Sequence, residues 1–266
     1  KHLTDLDLSC NLLTSLQEVS LLVRNLPGLR SLNISENRFK PEPNANQPGS
    51  ATPSVQIESL IMNTIPELDW EALVGFLDAS AIRPKELSIS QNKFDGVDAS
   101  ALPLLSDLET LRMDHNRISC WTRVLPLQGL PRLSTLVLAN NPFAHLWYDQ
   151  TSSPPAEQST TGANGCAVPA PFAGLTCLSL SGTGLSSWGD VDALGLFPRL
   201  RQVRLQGIPL LQGLDASTQR MLLISHLPNV CAGGQGRQTV GSETCGQING
   251  SMVTASERRD AHRFFL

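Results

Sequence analysis

Nothing in this chain approaches the roughly 20 consecutive apolar residues that span a bilayer, and its first residues do not read as a secretory signal. Clustered Lys and Arg are missing as well. With 20 basic and 24 acidic residues the formal net charge is −4, which argues against nucleic acid as a partner, since phosphate binding needs concentrated positive charge. The six cysteines, Cys10, Cys120, Cys166, Cys177, Cys231 and Cys245, contain no C-x-x-C pair for a metal and no paired caps of the secreted kind. Reduced thiols in a cytosolic protein are therefore expected, and an oxidised Cys231–Cys245 pair would be incidental. Asn33-Ile34-Ser35 and Asn249-Gly250-Ser251 match the glycosylation sequon, a tripeptide common by chance and wrong for that compartment.

Catalytic signatures are also lacking: there is no P-loop, G-x-S-x-G elbow, H-E-x-x-H pair or dinucleotide fingerprint. His2, His115, His145, His226 and His262 lie far apart, and only His115 has charged neighbours, Asp114 and Arg112, near a strand face. An Asp-His pair without a nucleophile supports a solvated polar patch or a partner contact before catalysis. A non-enzyme is expected, with no cofactor, metal ion or small-molecule substrate.

What the chain does have is repetition. Eight times a run of the form L-x-x-L-x-L-x-x-N, or a close variant, recurs at intervals of mostly 24 to 30 residues. The clearest copies are Leu3-Leu6-Leu8-Asn11, Leu29-Leu32-Ile34-Asn37, Leu108-Leu111-Met113-Asn116 and Leu133-Leu136-Leu138-Asn141. Weaker copies begin at Ile57, Pro84, Leu175 and Leu200. This is the leucine-rich-repeat signature. It predicts an α/β solenoid occupying residues 1–266 as one domain of eight to nine repeats. A curved parallel β-sheet forms its concave face, and helices and irregular turns form its convex face. One coil cannot bury its apolar side alone, so stacked coils share a continuous leucine core. The Asn ladder is expected to satisfy loop backbone in its own coil and the next. Leu26-Pro27, Leu130-Pro131, Phe197-Pro198 and Leu227-Pro228 end the return segments, because proline disfavours helix in the residue before it. Trp70, Trp121 and Trp188 share one register, with Asp69 and Ser187 as N-cap candidates, and are expected to anchor the convex helices.

Three segments break the period: 40–56, 144–172 and 231–247, all rich in Pro, Gly, Ser or Thr. Residues 249–266 read as a C-terminal cap ending in a charged amphipathic helix. The first coil carries no polar cap, so further chain is expected before it. Side chains between the strand leucines point away from the core and provide the candidate partner-binding residues Asp5, Asp7, Asn33, Glu86, Arg112, Asp114, His115 and Arg204. Solenoids generally use such a surface for protein partners, although the edges and loops are equally open to that role.

The opening DLDLSCNLLTSLQEVSLLVRNLPGLRSLNISENRF, the segment LTCLSLSGTGLSSWGDVDALGLFPRLRQVRLQGIPL and the closing LLISHLPNV and INGSMVTASERRDAHRFFL together resemble the leucine-rich-repeat domain of tubulin-folding cofactor E or its cofactor E-like relative. The Leu185-Ser186-Ser187-Trp188 step and the Asn249-Gly250-Ser251…Glu257-Arg258-Arg259-Asp260-Ala261 motif are the most specific parts. The resemblance implies a cytoplasmic, cytoskeleton-associated chaperone component that binds α-tubulin. With other tubulin-folding cofactors it would assemble or dissociate the tubulin heterodimer. The resemblance also implies a ubiquitin-like module, with a CAP-Gly module in cofactor E and none in its cofactor E-like relative, and neither module is visible here. The competing expectation is an adaptor of another cytosolic or nuclear assembly, of axonemal or spliceosomal type.

Overall fold

The structure, a computed structural model, describes residues 3–40, 57–146, 172–231 and 246–264. Most of the three period-breaking segments, and Cys166 and Cys245 with them, therefore lie outside the described residues.

Each repeat contributes one three-residue strand: β1 (Asp5–Asp7), β2 (Ser31–Asn33), β3 (Ser59–Ile61), β4 (Glu86–Ser88), β5 (Thr110–Arg112), β6 (Thr135–Val137), β7 (Cys177–Ser179) and β8 (Gln202–Arg204). Two shorter strands follow, β9 (Gln247–Ile248) and β10 (Ser251–Met252). All ten form one sheet in sequence order, parallel from β1 to β9. Alternate strand side chains point to opposite faces, so each strand sends its middle residue inward and the two beside it outward. The inward residues form an unbroken row, Leu6, Leu32, Leu60, Leu87, Leu111, Leu136, Leu178, Val203 and Ile248. From Leu32 onward all are buried, and only Leu6 in the first coil is half-exposed. Burying each such leucine is worth roughly 1.5–3 kcal/mol, which makes this row the main source of stability.

Four residues beyond each inward residue the chain takes a left-handed step. Cys10, Glu36, Thr64, Gln91, His115 and Asn140 all have φ of 55 to 56°, and glycine takes over at Gly182 and Gly207. An L-residue held there is strained, and the strain persists because the step is over-determined by its bonds. From Cys10 to Gly182 each of these N–H groups donates to a carbonyl of the following coil, as in Glu36 N to Asn63 O at 3.0 Å and His115 N to Ala139 O at 2.9 Å.

The asparagine ladder follows one position later, and its direction corrects the expectation. The amides serve their own coil and the preceding one, not the next. Asn116 Nδ2 donates to Met113 O in its own coil and to Ile89 O in the coil before, both at 3.0 Å. Its Oδ1 accepts from Phe94 N at 3.1 Å. Asn37 and Asn141 repeat this arrangement, and Asn92 makes the two bonds to the preceding coil. The reason lies in the geometry of the step: the next coil is already reached through the left-handed N–H, which leaves the side chain facing backward. Among the described residues Asn11 bonds only to Leu8 O and Ser9 O of its own coil.

The return segments vary because their sequences do. Ser15, Asp69 and Ser187 cap α1 (Leu16–Arg24), α2 (Trp70–Ala79) and α3 (Trp188–Ala193), each side chain accepting a first-turn N–H. Where proline interrupts, short 3-10 turns stand instead, at Ala99–Leu105 and Leu125–Gly129. The tryptophans open these segments as expected. Trp121 is fully buried and meets Phe143 and Phe172, with ring centroids 5.9 and 5.8 Å away, while Trp70 and Trp188 are half-buried. Helices need about 8–10 Å of lateral room and strands about 4.8 Å, so stacking such coils curves the array with the sheet on its inner side.

Around the gaps the coils reach further than periodicity suggested. Leu146 and Phe172 are core residues, and Leu146 N donates to Asp190 Oδ1 at 2.9 Å. After α4 (Ala216–His226) and α5 (Pro228–Cys231), the chain leaves the last coil at Val230 and re-enters it at Gly246. A Cβ on Gly246 would sit 1.9 Å from Val230 O, so backbone touches backbone there and only glycine fits. Gln247 then belongs to β9, beside Gln202. Asn249 and Gly250, both at positive φ, form a two-residue turn into antiparallel β10, the arrangement that Asn-Gly favours. Asn249 Oδ1 accepts from Leu205 N at 2.7 Å, so the sequon match is a structural turn. Helix α6 (Ala255–Phe264) then packs on α4, pinned by Arg220, which donates to Glu257 Oε1 and Met252 O, both at 2.7 Å.

Candidate partner-binding surface

Parallel register lines the outward side chains up in rows across the sheet. One row runs Asp5, Ser31, Ser59, Glu86, Thr110, Thr135, Cys177, Gln202. The next runs Asp7, Asn33, Ile61, Ser88, Arg112, Val137, Ser179, Arg204. A third, just before the left-handed step, holds Ser35, Asn63, Ser90, Asp114, Ala139 and Ser181.

Much of the face between the second and fifth coils is tied up in its own hydrogen bonds. Asn33 Oδ1 accepts from Ser35 N and Oγ, so this predicted contact residue is mainly a strut for its own turn. Asn63 Oδ1 accepts from Ser88 Oγ at 2.9 Å and Ser90 N at 2.8 Å. Asp114 is half-buried, with Oδ1 taken by Ser90 Oγ at 2.5 Å and Oδ2 by His115 Nδ1 at 3.1 Å. His115 is exposed at the left-handed position.

The remaining predicted residues are exposed and spread out. Asp5 and Asp7 stand on β1, about 19 Å from β5 at four strand spacings, and Ser9 holds the Asp7 carboxyl below the usual carboxylate range. Glu86 is exposed on β4. Arg112 and Arg204 are exposed in one row, and among the described residues neither has an ion-pair partner. Thus the structure unites Arg112, Asp114 and His115 on one coil and leaves Asp5, Asp7 and Arg204 toward the two ends.

Sequence reasoning read the outward positions of the sixth and seventh coils but singled none out. These are Thr135, Val137, Ala139, Cys177, Ser179 and Ser181, all small, and they floor a trough between the two arginines. The signal was available in the rows: two successive coils without a long side chain. Burial pushes the Cys177 thiol up, and Arg204 and Arg112 pull it partly back. With no nucleophile set against a base among the described residues of the face, what the arrangement offers is shape, hydrogen-bonding groups and charge.

A parallel sheet of nine coils in register, an inner row of leucine-type residues and a polar outer face define a leucine-rich-repeat protein. Over all 266 residues the chain is 33% identical to the tubulin-specific chaperone cofactor E-like protein of Homo sapiens and 32% identical to that of Rattus norvegicus. It is 28% identical over 259 residues to the tubulin-folding cofactor E of Arabidopsis thaliana, which covers 96% of this chain and 43% of that protein. Its curated relatives are thus the tubulin-folding chaperones of the cofactor E and cofactor E-like group, and the resemblance read from the opening and closing segments holds along the whole chain. The chain spans about half the length of the cofactor E-like relatives, 54% in human and rat. No protein-family model matches it. Among solved structures it is similar to internalin C2 of Listeria monocytogenes, with a TM-score of 0.47, 21% identity, and coverage of 80% of this chain and 77% of that one.

Proposed function

We propose that this chain is a non-enzymatic binding scaffold of a cytoplasmic, cytoskeleton-associated tubulin chaperone. In this reading it contacts α-tubulin through its concave sheet face and the adjoining loops, alongside other tubulin-folding cofactors. The observation that carries the reading is the end-to-end likeness to the cofactor E-like proteins. The polar outer face supports it, with Asp5, Asp7, Glu86, Arg112, His115 and Arg204 exposed on it. Remodelling of the tubulin heterodimer would draw on differential affinity for its states, since a ligand shifts an equilibrium only by binding one state better. Calorimetry of the full-length protein carrying this chain, titrated with tubulin heterodimer, tests it. Saturable binding is expected, and no heat and no co-elution would end the proposal.

A further inference from the structure

The trough floored by the sixth and seventh coils has one notable pair of walls. Arg112 and Arg204 stand in the same row on β5 and β8, three strand spacings or about 14 Å apart. Between them lie Val137 and Ser179, with Thr135 and Cys177 on one side and Ala139 and Ser181 on the other. In these rows the two coils between carry nothing longer than valine, cysteine or threonine, and Ser179 at the centre is buried. Asp114, two residues from Arg112, binds Ser90 through one oxygen and His115 through the other and makes no ion pair with Arg112. Two exposed guanidinium groups thus face a smooth, largely neutral floor with their five-donor forks uncommitted.

We propose that this trough receives an extended acidic segment of a protein partner, lying across the strands with one carboxylate on Arg112 and another on Arg204. The inference rests on reading the sheet face as the partner surface and adds the chemistry of what binds there. An extended chain advances about 3.3 Å per residue, so carboxylates four residues apart span about 13 Å and meet both forks. Arginine favours such carriers, because its planar fork grips carboxylate through two parallel bonds. Small floor residues let the peptide backbone lie close, and Ser181 and Thr135, both half-buried, offer hydroxyls to it.

The test is fluorescence anisotropy of the full chain with a labelled synthetic peptide, Glu-Ser-Thr-Ser-Glu flanked by glycines. Controls are the Gln-Ser-Thr-Ser-Gln version and a peptide with its two glutamates adjacent. The glutamate peptide with four-residue spacing is expected to bind best, and binding should weaken between about 0.1 M and 1 M salt as the Debye length falls from about 10 to about 3 Å. Arg112→Ala and Arg204→Ala should each reduce affinity about threefold or more, and the double variant about tenfold, at unchanged melting temperature. Arg117→Ala, an exposed arginine past the turn, should leave affinity alone. Equal binding of the glutamine peptide, or indifference to both arginine changes, overturns the proposal. Tubulin binding without glutamate-peptide binding overturns the trough assignment alone, and a protein that binds neither overturns the broader reading with it.

Discussion

Replacing Asn116 with alanine isolates the contribution of the asparagine ladder to the coil stack. The side chain makes three bonds of 3.0–3.1 Å, to Phe94 N, Ile89 O and Met113 O, all buried. Met113 O keeps a partner after the change, because Asn141 Nδ2 also donates to it at 2.9 Å. The loss therefore falls on the Phe94 N–H and the Ile89 carbonyl. An unpaired buried polar group costs about 1–3 kcal/mol, and the carbonyl, with its second lone pair, lies at the low end, so the expected destabilisation is about 2–4 kcal/mol. Asn11 is the control: it is exposed and bonds only within its own coil, so Asn11→Ala should stay within about 0.5 kcal/mol. Urea unfolding followed by circular dichroism measures both. Because coils couple to their neighbours, amide exchange around Ile89 to Phe94 should also accelerate in Asn116→Ala before that of the first coil. Equal effects of the two substitutions, or an Asn116→Ala cost below about 0.5 kcal/mol, would refute the idea that these amides tie each coil to the one before it.

Leu111→Ala and Leu136→Ala, which empty fully buried sites, should each cost about 2–5 kcal/mol in the same assay, whereas Arg112→Ala and Arg204→Ala, exposed beside them, should leave the midpoint nearly unchanged. The Arg220 guanidinium and the Thr254 N–H hold the Glu257 carboxyl down to about 2, against an ordinary value of 4.5. A depressed folded value means the stabilisation is complete above 4.5 and is lost as pH falls toward 2. Amide protection in α6 should therefore fall across that window, and Arg220→Gln should flatten the pH dependence. Gly246→Ala should destabilise the ninth coil selectively, because its methyl would collide with the Val230 carbonyl, a backbone atom that cannot swing away; loss of protection at Ile248 with β5 unaffected is the expected result.

The repeat architecture was legible because its cause is local and periodic: each inward leucine announces itself at a fixed distance from the last. Tryptophan register and the Asp69 and Ser187 caps were readable for the same reason. The backward direction of the asparagine bonds was not, because it depends on the left-handed step, which residues as unlike as Glu36, Thr64 and His115 adopt under the pull of the next coil. The closing hairpin had a local signal in Asn249-Gly250 that the sequon match obscured. Among the candidate contact residues, identity and outward direction were readable, but their engagement was not. Whether Asn33 or Asp114 remains available to a partner is decided by Ser35, Ser90 and His115, neighbours whose hydroxyl and ring orientations no spacing rule specifies.

The hairpin after β9 has a bearing on how long such an array grows. A stack of like coils has no inherent length, since every added strand presents the same unsatisfied edge to its successor. By doubling back, β10 offers an edge that runs against the polarity of the repeat, and α6 then packs back on α4. Two residues with unusual backbone angles, Asn249 and Gly250, thus serve as the terminator of a polymer whose monomer is a single coil.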